Sequence, residues 1–232
     1  MKSAIATLLH LSICGVYAYS IWYDAYEVKL PRPSTYAGKW KYLTFWNLWI
    51  QGMLFGVCFL NDLFGTDYQP GDPRRASLLQ RIRDYTLSVI ALPVGLFVVT
   101  SFWSIFAYNR ELIFPVALDK FFPSWLNHIM HTTVIVFLFV EMLMTNHHCP
   151  SLKRCIKGLS LFALVYGLWV LWIAYYANIW VYPVLAVLPV SGRVIFILSM
   201  YIYFLVLSCV CYKLKRAVWA GRQPHAVSTK KR

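Results

Sequence analysis

Long apolar runs alternate with short polar connections along the chain, and within the runs apolar positions follow neither the 3.6-residue stripe of a surface helix nor the alternation of a half-buried strand. Six runs, at about 4–23, 42–61, 85–107, 124–144, 158–177 and 194–212, are each long enough to cross a hydrocarbon core of about 30 Å, which takes roughly 20 helical residues. The pattern predicts an all-α polytopic membrane protein: a bundle of six transmembrane helices forming one domain over 1–232, with a basic cytosolic tail at 213–232. Pro93 falls inside the third run, where a kink is tolerated because neighbouring helices satisfy the freed carbonyl. The apolar run 179–190 is too short to span, contains Pro183 and Pro189, and reads as an interfacial or re-entrant connection. The first run has a second reading as a signal peptide, because Lys2 precedes it and Ala18-Tyr19-Ser20 is a small-x-small cleavage pattern.

Composition agrees with the lipid bilayer as the partner of this surface. At 59% hydrophobic and 13% charged residues, a water-soluble domain of this length is excluded, and 10 Trp, 16 Tyr and 15 Phe suit the aromatic belts of a membrane interface. A net charge of +13 would suggest nucleic-acid phosphates in a soluble protein. Here the Lys and Arg residues fall between the apolar runs, so they report topology, and no nucleic-acid partner is expected. The connections on the side of the amino terminus and the tail hold 15 of them, including Lys2, Arg74, Arg75, Arg81, Arg83, Lys153, Arg154 and Lys157. The other side holds 7: Lys29, Arg32, Lys39, Lys41, Arg110, Lys120 and Arg193. Cytoplasmic loops carry the excess, so both termini are expected in the cytosol. Lys230 and Lys231 precede a single residue, which departs from a di-lysine retrieval signal and leaves the plasma membrane and the endoplasmic reticulum both open.

Polar groups inside a span are expensive and are functional candidates by default. They are His10, Thr44, Asn47, Gln51, Asn127, His128, His131, Thr132, Thr133 and Glu141, concentrated in the second and fourth runs. Thr44, Asn47 and Gln51 follow i, i+3, i+7 on one helical face, and Asn127 and His131 follow i, i+4. Both groups lie near the starts of runs that enter from the same side, so Thr44 and His131 are placed at similar depth. A hydroxyl and an imidazole in a water-poor setting are the minimal parts of a nucleophile and its base. The competing reading is interhelical glue, with the threonine hydroxyl bonded back to the i−4 carbonyl. Glu141, ten residues past His131 and off its face, reads as a buried acid bonded to another helix.

Other chemistries find little support. No G-x-S-x-G, P-loop, G-x-G-x-x-G or H-E-x-x-H occurs. His128-x-x-His131 lacks an Asp, Glu or Cys on the same face to complete a metal site. Cys14, Cys58, Cys209 and Cys211 sit within or at the ends of apolar runs as small apolar residues. The C-x5-C spacing of Cys149 and Cys155 fits no zinc ribbon or redox pair, even beside His147 and His148. No cofactor and no metal ion is expected.

Four stretches, Trp40-Lys41-Tyr42-Leu43-Thr44-Phe45-Trp46-Asn47, Phe102-Trp103 with Tyr108-Asn109-Arg110-Glu111-Leu112-Ile113-Phe114-Pro115, Trp125-Leu126-Asn127-His128-Ile129-Met130-His131-Thr132, and Trp180-Val181-Tyr182-Pro183, together resemble the androgen-induced (FAR-17a-like) membrane protein family. The resemblance runs in order over nearly the whole chain. It implies an intramembrane threonine hydrolase that takes a membrane lipid substrate, a fatty acid ester of a hydroxy fatty acid (FAHFA), and releases a fatty acid and a hydroxy fatty acid. The family's nucleophile falls on Thr44 and its essential histidine on His131. Asn127 or His128 is then a candidate to orient the imidazole, and Asn47 or a backbone N–H to stabilise the oxyanion. A non-enzymatic scaffold, or a lipid or solute carrier, remains the alternative.

Overall fold

The structure is a computed structural model that describes residues 4–29, 36–69 and 74–220; Lys2, Arg32, Arg222, Lys230, Lys231 and Arg232 of the charge count lie outside the described residues. It is all-helical, with no strand among the described residues. The helices are α1 (Ala4–Tyr26), α2 (Leu43–Phe64), α3 (Leu78–Thr86), α4 (Leu92–Asn109), α5 (Ser124–His131), α6 (Thr133–Met144), α7 (Leu152–Ala177), α8 (Pro183–Val187) and α9 (Val190–Ala220). A π-helical turn, Leu87–Ala91, joins α3 to α4, so that Leu78–Leu112 crosses as one unit.

Among the described residues five helical units are long and apolar enough to cross a membrane, or six where the bent pair α5 and α6 counts as one span. The outer surface carries large apolar side chains that water would not tolerate as a continuous coat; on α7 and α9 they include Leu161, Leu164, Leu168, Ile195, Leu198 and Ile202. This is an integral, multi-pass membrane protein. α1 is a full member of the bundle: Ile13 and Tyr17 are buried in the core, and Tyr17 stacks on Phe55 of α2 with ring centroids 6.0 Å apart.

Lipid tails are as apolar as leucine, so helices in a bilayer hold together through close packing and hydrogen bonds. Gly95 marks such a close approach. A Cβ there would lie 2.7 Å from Leu138 Cδ1 and 2.9 Å from Val134 Cγ1 of α6. Gln51 supplies the polar counterpart, donating from α2 to Asn47 Oδ1 at 2.9 Å and to the Ala91 carbonyl at 3.0 Å in the π turn. The glue expected of these amides is therefore present. The π turn ends two residues before Pro93, the position where the sequence reading holds a kink to be tolerated.

Several boundaries differ from the sequence reading, among them the start of α7 at Leu152 instead of 158. The third span begins at Leu78 instead of 85, since the polar turn with Arg81 and Arg83 is also helical. α9 runs on to Ala220 through what the sequence presents as the tail. The extension is anchored by Lys215 Nζ on Ser88 Oγ at 2.5 Å and by Trp219 Nε1 on the Met142 carbonyl at 2.9 Å. The short run after α7 folds into α8, with Val181 and Leu185 buried against Val170 and Ile173.

Candidate active site

The start of α2 has no side-chain cap of its own. The Leu43 N–H donates instead to Tyr182 Oη at 3.0 Å, which draws the segment before α8 onto the helix end. Tyr182 Oη lies 2.8 Å from Tyr166 Oη, and Tyr166 donates to the Lys41 carbonyl at 3.0 Å. Burial raises the pKa of the Tyr182 phenol, which therefore remains an O–H donor. These two tyrosines clamp the turn that presents Thr44.

A helical threonine hydroxyl ordinarily bonds back to the carbonyl four residues earlier. Thr100 does so to Leu96, and Thr133 to Ile129. Two features remove that option from Thr44. Tyr42 is extended, so the helical path is interrupted just upstream. The Trp40 carbonyl is also already occupied by two indole N–H groups, from Trp46 at 2.6 Å and Trp169 at 3.0 Å. Thr44 Oγ1 instead lies 3.2 Å from His131 Nε2.

His131 ends α5 and is buried. Its Nδ1 faces two acceptors, Asn127 Oδ1 at 2.7 Å and the Asn127 carbonyl at 3.0 Å. Nδ1 must therefore carry the proton, which leaves Nε2 free to accept from the Thr44 hydroxyl. Phe102 stacks on the imidazole with centroids 3.6 Å apart and planes at 15°. Trp103 Nε1 donates to the His131 carbonyl at 2.7 Å. A side chain inserted into the helical ladder is one of the few causes of a sharp kink, and α5 and α6 meet here at 42°. His128 is exposed, stacks on Trp103, and has Nδ1 3.1 Å from Thr132 Oγ1. Of the two candidates for orienting the imidazole, Asn127 is the one in contact with it.

A cavity of about 230 Å³ opens beside Thr44. Its walls include Phe97, Ser101, Phe102, Ile113, Phe162 and Tyr166, no lining residue is charged, and Leu171, Ile197 and Tyr201 at its rim are exposed to the bilayer side. Ile113 arrives on a loop that ties itself together. Arg110 pairs with Asp119 at 2.6 Å, and Glu111 Oε1 accepts from the Val116 N–H at 2.9 Å. Two buried polar atoms, Asn47 Nδ2 and Ser101 Oγ, have no hydrogen-bond partner among the described residues. Asn47 sits one turn below Thr44 and so offers a spare donor.

The structure thus joins Thr44, His131, Asn127 and Asn47 in one region and separates Glu141 from them. Glu141 bonds His10 of α1 at 2.6 Å, at the other end of the bundle. Tyr166, Ser101 and the interaction of Phe102 with the imidazole carried no signal in the spacing. Phe102 and Tyr182 were visible only as members of the quoted stretches.

A family model described as FAR-17a/AIG1-like protein matches residues 5–216. The chain is 43% identical over 174 residues to the human androgen-induced gene 1 protein, covering 73% of each chain. It is 31% identical over 228 residues to the human androgen-dependent TFPI-regulating protein, covering 97% of this chain and 98% of that one. The protein of that name from Mesocricetus auratus is 36% identical over 194 residues, 84% of this chain and 83% of its own. No solved structure matches the chain.

Proposed function

The chain belongs to the FAR-17a/AIG1-like family, and on that premise we propose that it is an intramembrane threonine hydrolase that cleaves the ester bond of fatty acid esters of hydroxy fatty acids. The observation that carries this reading is the approach of Thr44 Oγ1 to His131 Nε2 at 3.2 Å, with Nδ1 of the same ring held by Asn127. Thr44 Oγ1 attacks the ester carbonyl while its proton passes to Nε2. The imidazolium then protonates the departing alkoxide of the hydroxy fatty acid, leaving an acyl group on Thr44. Water, deprotonated at Nε2, attacks that acyl ester and releases the fatty acid. The oxyanion of each tetrahedral intermediate takes a hydrogen bond from Asn47 Nδ2 or from a backbone N–H at the start of α2, a kind of contact that contributes about 3 kcal/mol in other hydrolases.

The cavity is smaller than the roughly 300–1,000 Å³ typical of sites that enclose a ligand. The substrate's chains accordingly extend past the exposed rim into the bilayer. On the charge count both termini are cytosolic and the Thr44 site belongs to the exoplasmic leaflet.

The test uses the full chain in detergent micelles with a FAHFA substrate and a fluorophosphonate probe. Wild type is expected to hydrolyse the ester and to label on Thr44. Thr44→Ala and His131→Ala are expected to lose activity by on the order of 10³-fold or more. Folded variants that cleave at the wild-type rate would sink the assignment and favour a scaffold or carrier.

A further inference from the structure

At the end of the bundle remote from Thr44, a second buried polar centre is assembled from residues the hydrolysis does not use. On α2 it begins at Cys58, fourteen residues and about 21 Å of helix beyond Thr44. His10 from α1, Asp62 from α2, Glu141 from α6, His147 from the segment after α6 and Asp84 from α3 complete it. The contacts alternate carboxylate and imidazole. Asp62 Oδ2 lies 2.6 Å from His10 Nδ1, and His10 Nε2 lies 2.6 Å from Glu141 Oε2. Glu141 Oε1 lies 2.7 Å from His147 Nε2, and His147 Nδ1 lies 2.8 Å from Asp84 Oδ1. Cys58 Sγ is 3.8 Å from Glu141 Oε1, and the ligand atoms of His10, Cys58 and Glu141 all lie within 4.8 Å of one another.

Two physical features distinguish this from ordinary interhelical glue. Each imidazole is gripped through Nδ1 by its own carboxylate, the outer-shell arrangement that aims a bare Nε2 at a metal. Both Nε2 atoms then converge on the oxygens of one carboxylate, at distances that require a proton or a metal ion between each pair. The charges make the same demand. Glu141 and Asp84 are buried, the Asp62 side chain is 7% exposed, and Arg83 Nη2 lies 2.9 Å from Asp84 Oδ1 and 3.2 Å from Asp67 Oδ1. Lys215 is bonded to Ser88, outside the set. With both imidazoles neutral, as metal ligands must be, about two negative charges are left in an apolar setting, where unpaired charge is costly. One divalent ion balances both.

We propose that His10, Cys58, Glu141 and His147 bind a divalent transition-metal ion of the zinc class, with Asp62 and Asp84 orienting the two imidazoles. Two imidazoles, a thiolate and a carboxylate favour zinc over the all-oxygen cations calcium and magnesium. Tetrahedral bonds of about 2.0–2.3 Å place ligand atoms roughly 3.3–3.8 Å apart, so the pairs Glu141 makes with His10 and His147 at 2.6 and 2.7 Å open by roughly 1 Å, while Cys58 at 3.8 Å already fits. Four protein ligands close the coordination sphere, which makes the ion a structural clasp joining α1, α2 and the end of α6.

The test is metal content. Full-length chain purified in detergent without chelator or polyhistidine tag is expected to carry about one zinc per chain by mass spectrometry. Cobalt(II) exchanged into the site is expected to give a near-ultraviolet thiolate-to-metal band. Cys58→Ser, nearly isosteric, removes that band while the folded chain still binds the ion. Asp62→Asn weakens zinc affinity by roughly 10- to 100-fold. Folded wild-type chain that carries no zinc and takes up neither zinc nor cobalt overturns the proposal and leaves a proton-bridged network. A cobalt band that survives Cys58→Ser overturns the ligand set.

Discussion

The nucleophile assigned to Thr44 depends on what its hydroxyl is prevented from doing. Two indoles fill the Trp40 carbonyl and Tyr42 is extended, so Oγ1 turns to His131. Asn127 is the matching constraint on the imidazole, and it acts as a positioning residue because it touches only the base. Asn127→Ala is expected to lower kcat on the order of 100-fold, the scale of a misplaced reacting group, with KM little changed. Steady-state kinetics on the folded variant check this, and an equal loss confined to KM would contradict it. Much at this scale was legible in the sequence, because i, i+3 and i, i+4 spacings fix which side chains share a face. The partners of Thr44's turn were not. Tyr182 reaches the Leu43 amide across 139 residues, and Trp169 reaches Trp40 across 129. Nothing local announces contacts of that range.

Among the elements, hydropathy located the helices long and apolar enough to span but not their irregularities. The fourth run reads as one continuous helix, whereas the structure divides it at Thr132 because an indole from α4 occupies the His131 carbonyl. That division lies next to the proposed general base, so the bend sets the direction in which α5 presents its ring. The π turn lies just before Pro93, where the sequence showed only that a kink is tolerated. Close approach is a property of pairs of elements and shows up where a side chain is missing. Gly95 lets α4 lie against Val134 and Leu138 of α6. Gly95→Val is expected to cost about 1–3 kcal/mol, the usual penalty of overpacking. Thermal unfolding in detergent measures it, and an unchanged midpoint would place the α4–α6 contact elsewhere. The polar centre around Glu141 escaped the sequence reading for a similar reason. His10, Cys58 and His147 come from three distant elements, and the sequence marked only His10 and Glu141 as polar groups inside spans, with Glu141 expected to bond another helix.

Across the whole molecule, polar chemistry is divided between the two ends of an apolar bundle. The charge count assigns the Thr44 end to the exoplasmic side, and labelling in intact cells tests that directly. Lys120→Cys, in the connection before α5, is expected to react with a membrane-impermeant maleimide above the level of the native chain. Arg75→Cys, before α3, is expected to react only after permeabilisation; the opposite pattern would invert the topology. The cavity beside Thr44 is walled by uncharged residues throughout. The ester linkage is itself neutral, and the proposed substrate's own carboxylate stands at the far end of its hydroxy-acid chain. Cleavage leaves a carboxylic acid, whose ordinary pKa near 4 means that it ionises on meeting water. An unpaired carboxylate is badly solvated among phenylalanine and isoleucine walls, so on the proposed mechanism the new acid formed beside Thr44 would be driven out by the charge that hydrolysis adds there. With Thr44 at the very start of its helix, the way from there to the aqueous interface would be short for that acid.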